Sequence, residues 1–344
     1  MVWKDVGTLA GSRGTDPVRE VPGEAVVGAD AEADPLGTVR SSPRDADARP
    51  GAGRVLMAQD RKGKVAPTFS VIIPTYGRPR YLSEAVASVL DQTVRDLECL
   101  VVDDASPEPV EVPEDPRVRV IRRESNGGPA AARNTGLDHA SGRFIAFLDD
   151  DDLFTPERLE IAAIGLTRAP VTICHARHLD ATAGRNRQLE GRVFDTVLDD
   201  TTPHCGATAA AREVVVRFDE RFNGCEDVDW WLRMARDAPV TTVPRLGLLV
   251  RRHDDPRHRT DMGARLEGSA SLLEIHADYF KTHRRARAFR WRRIGHLALL
   301  TGDRHRARVA FTRSLRADPQ PRTLVGLARS WRVRRRPENS GTAT

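Results

Sequence analysis

The chain lacks paired cysteines: Cys99, Cys174, Cys205 and Cys225 stand far apart, with no CxxC pair and no histidine at zinc-ligand spacing. A disulfide framework and a structural zinc site are thereby excluded, and the four read as reduced cysteines of a cytosolic protein. No apolar run approaches the ~20 residues of a membrane-spanning helix, and the N-terminus lacks the basic-then-apolar order of a signal peptide. The expectation is a cytoplasmic chain, at most peripheral at the inner face of a membrane. Lysine is scarce, at positions 4, 62, 64 and 281 only, so the 54 basic residues are nearly all arginine. They crowd "KTHRRARAFRWRRIGH" and "RSWRVRRRP" in the C-terminal third. A solvated helical face is the plain reading; peripheral contact with anionic lipid is the other, and no nucleic-acid partner is expected.

What is present is length and order. At 344 residues the chain holds one large domain, with or without an appendage, and a core that needs no disulfides. Residues 1–66 show neither strand alternation nor a helical stripe and read as a disordered extension, or as a mis-assigned start upstream of Met57. From Phe69 the texture changes. "FSVIIPTY" is a strand buried on both faces, "RYLSEAVASVLDQT" has helical spacing, "LECLVVDDAS" and "RVRVIRR" are further strands, and "NGGP" opens the helix "AAARNTGLDHA". Strand and helix alternate, which implies an α/β fold with a mostly parallel sheet flanked by helices over residues 67–260. Residues 261–335 are expected to be helical, with one hairpin like a single tetratricopeptide repeat, and 336–344 to be a disordered tail.

The segment "GRFIAFLDDDDLFTPERL" drives an apolar strand into four aspartates, Asp149 to Asp152. One of them, or Thr155 before Pro156, suffices to cap a following helix. Four adjacent charges repel unless a cation offsets them, and oxygen ligands at a strand end suit Mg²⁺ or Mn²⁺. In parallel sheets ligands sit beyond those strand ends, where Asp103 and Asp104 also fall.

Together "SVIIPTYGRPRYLSEAVASVLDQT", "LECLVVDDASPE", "NGGPAAARNTGL", "GRFIAFLDDDDLFTPERL" and "FDERFNGCEDVDWWLRMA" resemble the successive motifs of family 2 glycosyltransferases, in family order from Phe69 to His253. The resemblance implies the Rossmann-like GT-A fold and a donor that is a UDP-, GDP- or dTDP-linked sugar. It places Pro74, Thr75, Tyr76, Arg78, Asp104 and Arg133 on the nucleotide, with Asp103 either sharing the role of Asp104 or capping its turn. The aspartates become a metal motif, with Asp149 and Asp150 toward the nucleotide sugar and Asp149, Asp151, Asp152 and His253 toward the metal; its register stays open. Asp227 becomes the base for an acceptor hydroxyl, with Glu226 on the acceptor side, Trp230 either packing in the core, its plainer reading, or lining the acceptor side, and Asp229 left as helix N-terminal charge. No Gln/Arg-x-x-Arg-Trp signature of processive synthases occurs, so single transfer is expected, with inversion, onto a glycan, lipid-linked or small-molecule acceptor. Two rivals remain: a sugar nucleotidyltransferase, although "PTYGRPR" has only one glycine, and a non-catalytic scaffold, although both acidic motifs are intact.

Overall fold

The computed structural model describes residues 66–182, 184, 186–252 and 261–331. The N-terminal extension, Met57, His253 and the C-terminal tail lie outside the described residues. The β-branched run gives β1 (Phe69–Thr75), buried almost throughout, and the apolar run after it gives β2 (Leu97–Asp103). Between them α1 (Pro79–Leu90) starts on proline and buries Leu82, Ala85, Val86 and Val89, one stripe at helical spacing. There follow β3 (Val118–Arg122), α2 (Gly128–His139), β4 (Phe144–Phe147), the short β5 (Leu153–Phe154), α3 (Arg158–Leu166), β6 (Val171–His178), β7 (Thr208–Ala211), α4 (Glu226–Asp237) and β8 (Val240–Val250).

All eight strands form one sheet, in the order β3-β2-β1-β4-β7-β6-β8-β5. The first four run parallel, with Thr75 paired to Asp103, so the ends of β1 and β2 are level. Beyond β4 the Leu148 amide donates to Ile72 O at 3.0 Å, which carries the chain up to the aspartates beside β1.

The second half of the sheet differs from a simple parallel continuation. β7, with the sequence TAAA, is antiparallel to both β4 and β6, while β6 and β8 pair in parallel. The helix expected directly after the aspartates begins only at Arg158, because Leu153 and Phe154 first pair antiparallel with Leu249 and Leu248. Thr155 is not its cap: its hydroxyl donates to Leu246 O at 3.2 Å.

The remaining helices are α5 (Met262–Ile275), α6 (Ala277–Thr282), α7 (Arg284–Leu300), α8 (Arg304–Ala317) and α9 (Pro321–Trp331). Leu272, Tyr279, Phe280 and Ala286 join the main core, so the start of this helical region is fastened to the sheet. A second cluster centres on Phe311 of α8. Gly295 of α7 and Gly326 of α9 both abut its ring, and a Cβ at either would stand 2.7 and 2.5 Å from Phe311 Cε1, so only glycine permits that approach. Among the described residues no helix is long and apolar enough to cross a membrane.

Candidate active site

Beyond the ends of β1, β2 and β4 lies a cleft of about 1190 Å³. Pro74, Thr75, Tyr76, Arg78, Asp104, Arg133, Asp149 to Asp152, Glu226 and Asp227 all line it. Of the sequence-derived site residues that are described, Asp103 and Trp230 are absent from its wall.

The four aspartates have four different surroundings. Asp150 is buried, accepts the Thr75 hydroxyl at 2.8 Å and faces Arg78 Nη1 at 3.2 Å. Burial pushes its carboxyl up to about 6, against the pull of Arg78. Asp151 shares the same guanidinium nitrogen, also at 3.2 Å. Arg78, expected on a phosphate, instead bridges these two carboxylates. Asp149 pairs with Arg133 Nη2 at 2.9 Å, and Asp152 Oδ1 accepts the Arg251 amide at 3.0 Å.

The other oxygens of Asp149 and Asp152 converge on a residue the sequence reading did not single out. His204 Nε2 lies 3.6 Å from Asp149 Oδ2 and 3.7 Å from Asp152 Oδ2, and the three ligand atoms lie within 4.8 Å of one another. His204 is fixed by the tight turn Cys205–Ala207, whose Gly206 carbonyl accepts from the buried Arg158 of α3 at 3.3 Å. Two carboxylates and an imidazole at the edge of a cleft fit a divalent cation that completes its shell with water or phosphate oxygens. Asp151, expected among the ligands, is not in this group. His204 Nδ1 accepts the Gly206 amide at 3.1 Å, which puts the proton of the neutral ring on Nε2. To ligate through Nε2 the ring must shift that proton and give up the amide bond, so the carboxylates are the stronger part of the set.

Asp103 and Asp104 divide their work as turn formers. Asp103 accepts the Ser106 amide at 2.8 Å and pairs with Arg122. Asp104 pairs with Arg123 and accepts the Gly127 and Gly128 amides, the latter at 2.7 Å, so it holds the entry to α2 and still borders the cleft. Asn134 is structural: it clamps Phe218 through both backbone groups, at 2.8 and 2.9 Å. Tyr76 is half exposed on the rim.

Opposite stands the start of α4. Gly224 at φ 90° and Cys225 at φ 68° turn the chain into it, and the second is a left-handed conformation that costs a residue with a Cβ roughly 1–2 kcal/mol. Glu226 meets Arg133 Nη1 at 3.4 Å; Asp227 accepts the Val228 amide at 2.8 Å and faces the cleft. Asp229 is buried, bound to Arg233 and to His276 Nε2 at 2.7 Å, so its charge ties α4 to the residue just before α6. Trp230 takes the plainer of its two readings, packing, and not the acceptor side. It is fully buried, stacks on Phe218 with centroids 5.1 Å apart and donates to Val216 O at 2.9 Å, so it is core. The helical region also reaches the cleft, through Arg265, Phe289, Arg290 and Arg293. The arginine-rich stretch is therefore not wholly a solvated face, since Arg290 and Arg292 are 4% and 7% exposed.

Comparisons with known proteins converge. The chain is 45% identical over 97 residues to an uncharacterized glycosyltransferase of Rickettsia felis, covering 27% of this chain and 16% of that one. It is 28% identical over 182 residues to the Escherichia coli UDP-Glc:alpha-D-GlcNAc-diphosphoundecaprenol beta-1,3-glucosyltransferase WfgD, covering 51% of this chain and 72% of that one. The chain thus spans only 16% of the length of the first of these relatives. S. aureus TarS 1-349 in complex with UDP-GlcNAc superposes with a TM-score of 0.51 at 18% identity, over 73% of this chain and 89% of that one, which places the fold among the GT-A glycosyltransferases. Residues 70–202, which carry the aspartate run, match the family described as Glycosyl transferase family 2.

Proposed function

We propose that the protein transfers a sugar from a nucleoside-diphosphate sugar to an acceptor hydroxyl, in one displacement with inversion and one transfer per encounter. The observation that carries this reading is the convergence in one cleft of three groups: the strand-end residues Thr75 and Tyr76, the cluster Asp149, Asp152 and His204, and Asp227. WfgD acts with UDP-Glc, and TarS was crystallised with UDP-GlcNAc, which favours a nucleotide-sugar donor here.

Asp149 and Asp152, with His204, are the residues that would hold Mn²⁺ or Mg²⁺. A cation there supplies positive charge to a leaving diphosphate. Arg133 keeps both Asp149 and Glu226 in place at the cleft. Thr75 and Arg78 hold Asp150 and Asp151 so that they do not compete for the same space. Asp227 accepts the proton of the attacking hydroxyl; a carboxylate suffices because that hydroxyl becomes acidic as the bond to carbon forms. No covalent intermediate is needed, so a second carboxylate close to the anomeric carbon has no role.

Peripheral attachment to an anionic bilayer is part of the reading. On α9, Leu324, Val325 and Trp331 are all more than half exposed, and the Arg308 guanidinium lies 4.5 Å from the Trp331 ring centroid. Apolar side chains with an aromatic ring and arginines beside them suit a lipid interface.

The reading is tested by a panel of nucleotide sugars in a thermal-shift assay, with Mn²⁺ or Mg²⁺ and again with EDTA. At least one is expected to raise the melting temperature in the presence of metal alone; no metal-dependent shift across the panel overturns the reading.

A further inference from the structure

The cleft has a second charged wall, which the transfer chemistry above leaves unused. Arg265 from α5 and Arg290 and Arg293 from α7 line it together with Gly224, Cys225 and Asp227. Arg290 and Arg293 stand three residues apart, on one face of α7. Arg290 is 4% exposed, and its Nε makes no hydrogen bond among the described residues. Arg293 is half-buried.

Among the described residues, the acids around Arg290 and Arg293 are mostly engaged elsewhere. Glu226 is engaged by Arg133, Asp229 by Arg233 and His276, and Glu267 by Arg306. The carboxylate that acts on both Arg290 and Arg293 is Asp227, with the Cys225 thiol beside it. Burial pulls both guanidinium groups toward lower pKa, helped by repulsion from Arg265 at Arg290 and from Arg290 at Arg293, yet arginine stays charged. Two cationic groups therefore feel the charge of one carboxylate in a partly desolvated wall, and Arg290 Nε is left without an acceptor among the described residues. Desolvated cationic groups are costly unless a counter-charge completes them.

We propose that this wall is a binding subsite for an anionic group of the acceptor, a phosphate or a carboxylate, held by Arg290 and Arg293 with Arg265 at its edge. The inference rests on the transferase reading: it supplies the substrate class for the side of the cleft where Asp227 meets the attacking hydroxyl. Guanidinium forks match either oxyanion in bidentate fashion. The donor's diphosphate has its own place, since the candidate metal cluster lies at the aspartates, beside Arg78, Arg133 and Arg251. An acceptor whose anion docks on α7 has its hydroxyl set beside Asp227, so binding energy far from the reacting atoms aligns the attack.

The test is isothermal titration of the full chain at constant ionic strength, with methyl phosphate as the phosphate-only probe and sodium acetate as the carboxylate-only probe. Each is run in EDTA, and again with Mg²⁺ and whichever nucleotide gives the largest metal-dependent rise in melting temperature. The wild type is expected to bind one of the two probes, which names the anion. Arg293→Gln and Arg265→Gln, each first shown to keep the wild-type melting temperature, should weaken that probe about tenfold or more and leave nucleotide binding within about twofold. Binding of neither probe, or unchanged affinity in both variants, overturns the proposal and leaves the arginines as counter-charges to Asp227. Equal losses of nucleotide and probe binding also overturn it, because the wall then serves the donor. Absence of any metal-dependent nucleotide binding defeats the transferase reading separately, while the EDTA titrations still report on the anion site.

Discussion

Arg133 of α2 and Asp149 at the end of β4 meet at 2.9 Å, and the other arm of the same guanidinium reaches Glu226 on α4 at 3.4 Å. One buried cation thus ties the aspartate run to the helix that presents Asp227, and its plane also lies 5.3 Å from the Phe218 ring centroid. The two halves of the proposed chemistry are fixed to each other through a single side chain.

Arg133→Gln leaves Asp149 and Glu226 facing each other without that cation. It is expected to lower unfolding free energy by about 3 kcal/mol, the lower end of the ~3–5 kcal/mol for breaking a buried ion pair from one side, because Asp149 is partly exposed. Urea denaturation of the variant against wild type measures this.

The register of the aspartates is open to direct titration. Asp152→Asn should weaken Mn²⁺ binding by about 10-fold or more, His204→Ala by less, and Asp151→Asn least, since Asp151 is held by Arg78 outside the cluster. Electron paramagnetic resonance of free Mn²⁺ gives the three affinities, and equal losses at Asp151 and Asp152 contradict this order.

Asp227→Asn removes the proton acceptor and keeps the side chain's shape. Nucleotide binding should remain within about twofold while transfer falls by about 10²–10⁴, the usual worth of a general base. The two readouts separate a chemical role from a binding one.

Contact of α9 with lipid is measured by flotation with vesicles of phosphatidylglycerol and of phosphatidylcholine. The full chain is expected on the anionic vesicles only, and Leu324→Glu with Trp331→Ala should release it without change in melting temperature. Equal flotation of wild type and variant contradicts the assignment.

Much of the α/β half was legible because its physics is local. Continuous apolar runs such as "FSVIIPT" and "LECLVVD" have no other stable home than strands covered on both faces. The start of α4 carries Glu226, Asp227 and Asp229 in its first turn, the charges that a helix N-terminus favours. β7 was missed because four residues, TAAA, carry neither β-branched enrichment nor alternation; neighbours on both sides impose that strand. His204 was missed for a related reason, since it meets Asp152 only through the long-range closure of the sheet and no spacing rule marks it. Trp230 kept two readings until the structure buried it, because an aromatic beside an acidic helix start reads the same whether it faces a sugar or the core. The wall formed by Arg290 and Arg293 was hidden by composition: in an arginine-rich helix, buried and solvated arginines are indistinguishable by sequence.

The central claim is that this cleft turns over a nucleotide sugar by means of Asp149, Asp152 and Asp227. Its most direct test is release of nucleoside diphosphate from a nucleotide-sugar panel by the full chain with Mn²⁺, compared with Asp152→Asn and with EDTA. The account predicts slow metal-dependent release from at least one donor, abolished by EDTA and strongly reduced in the variant. Release from none of them, or release that survives both EDTA and Asp152→Asn unchanged, contradicts it.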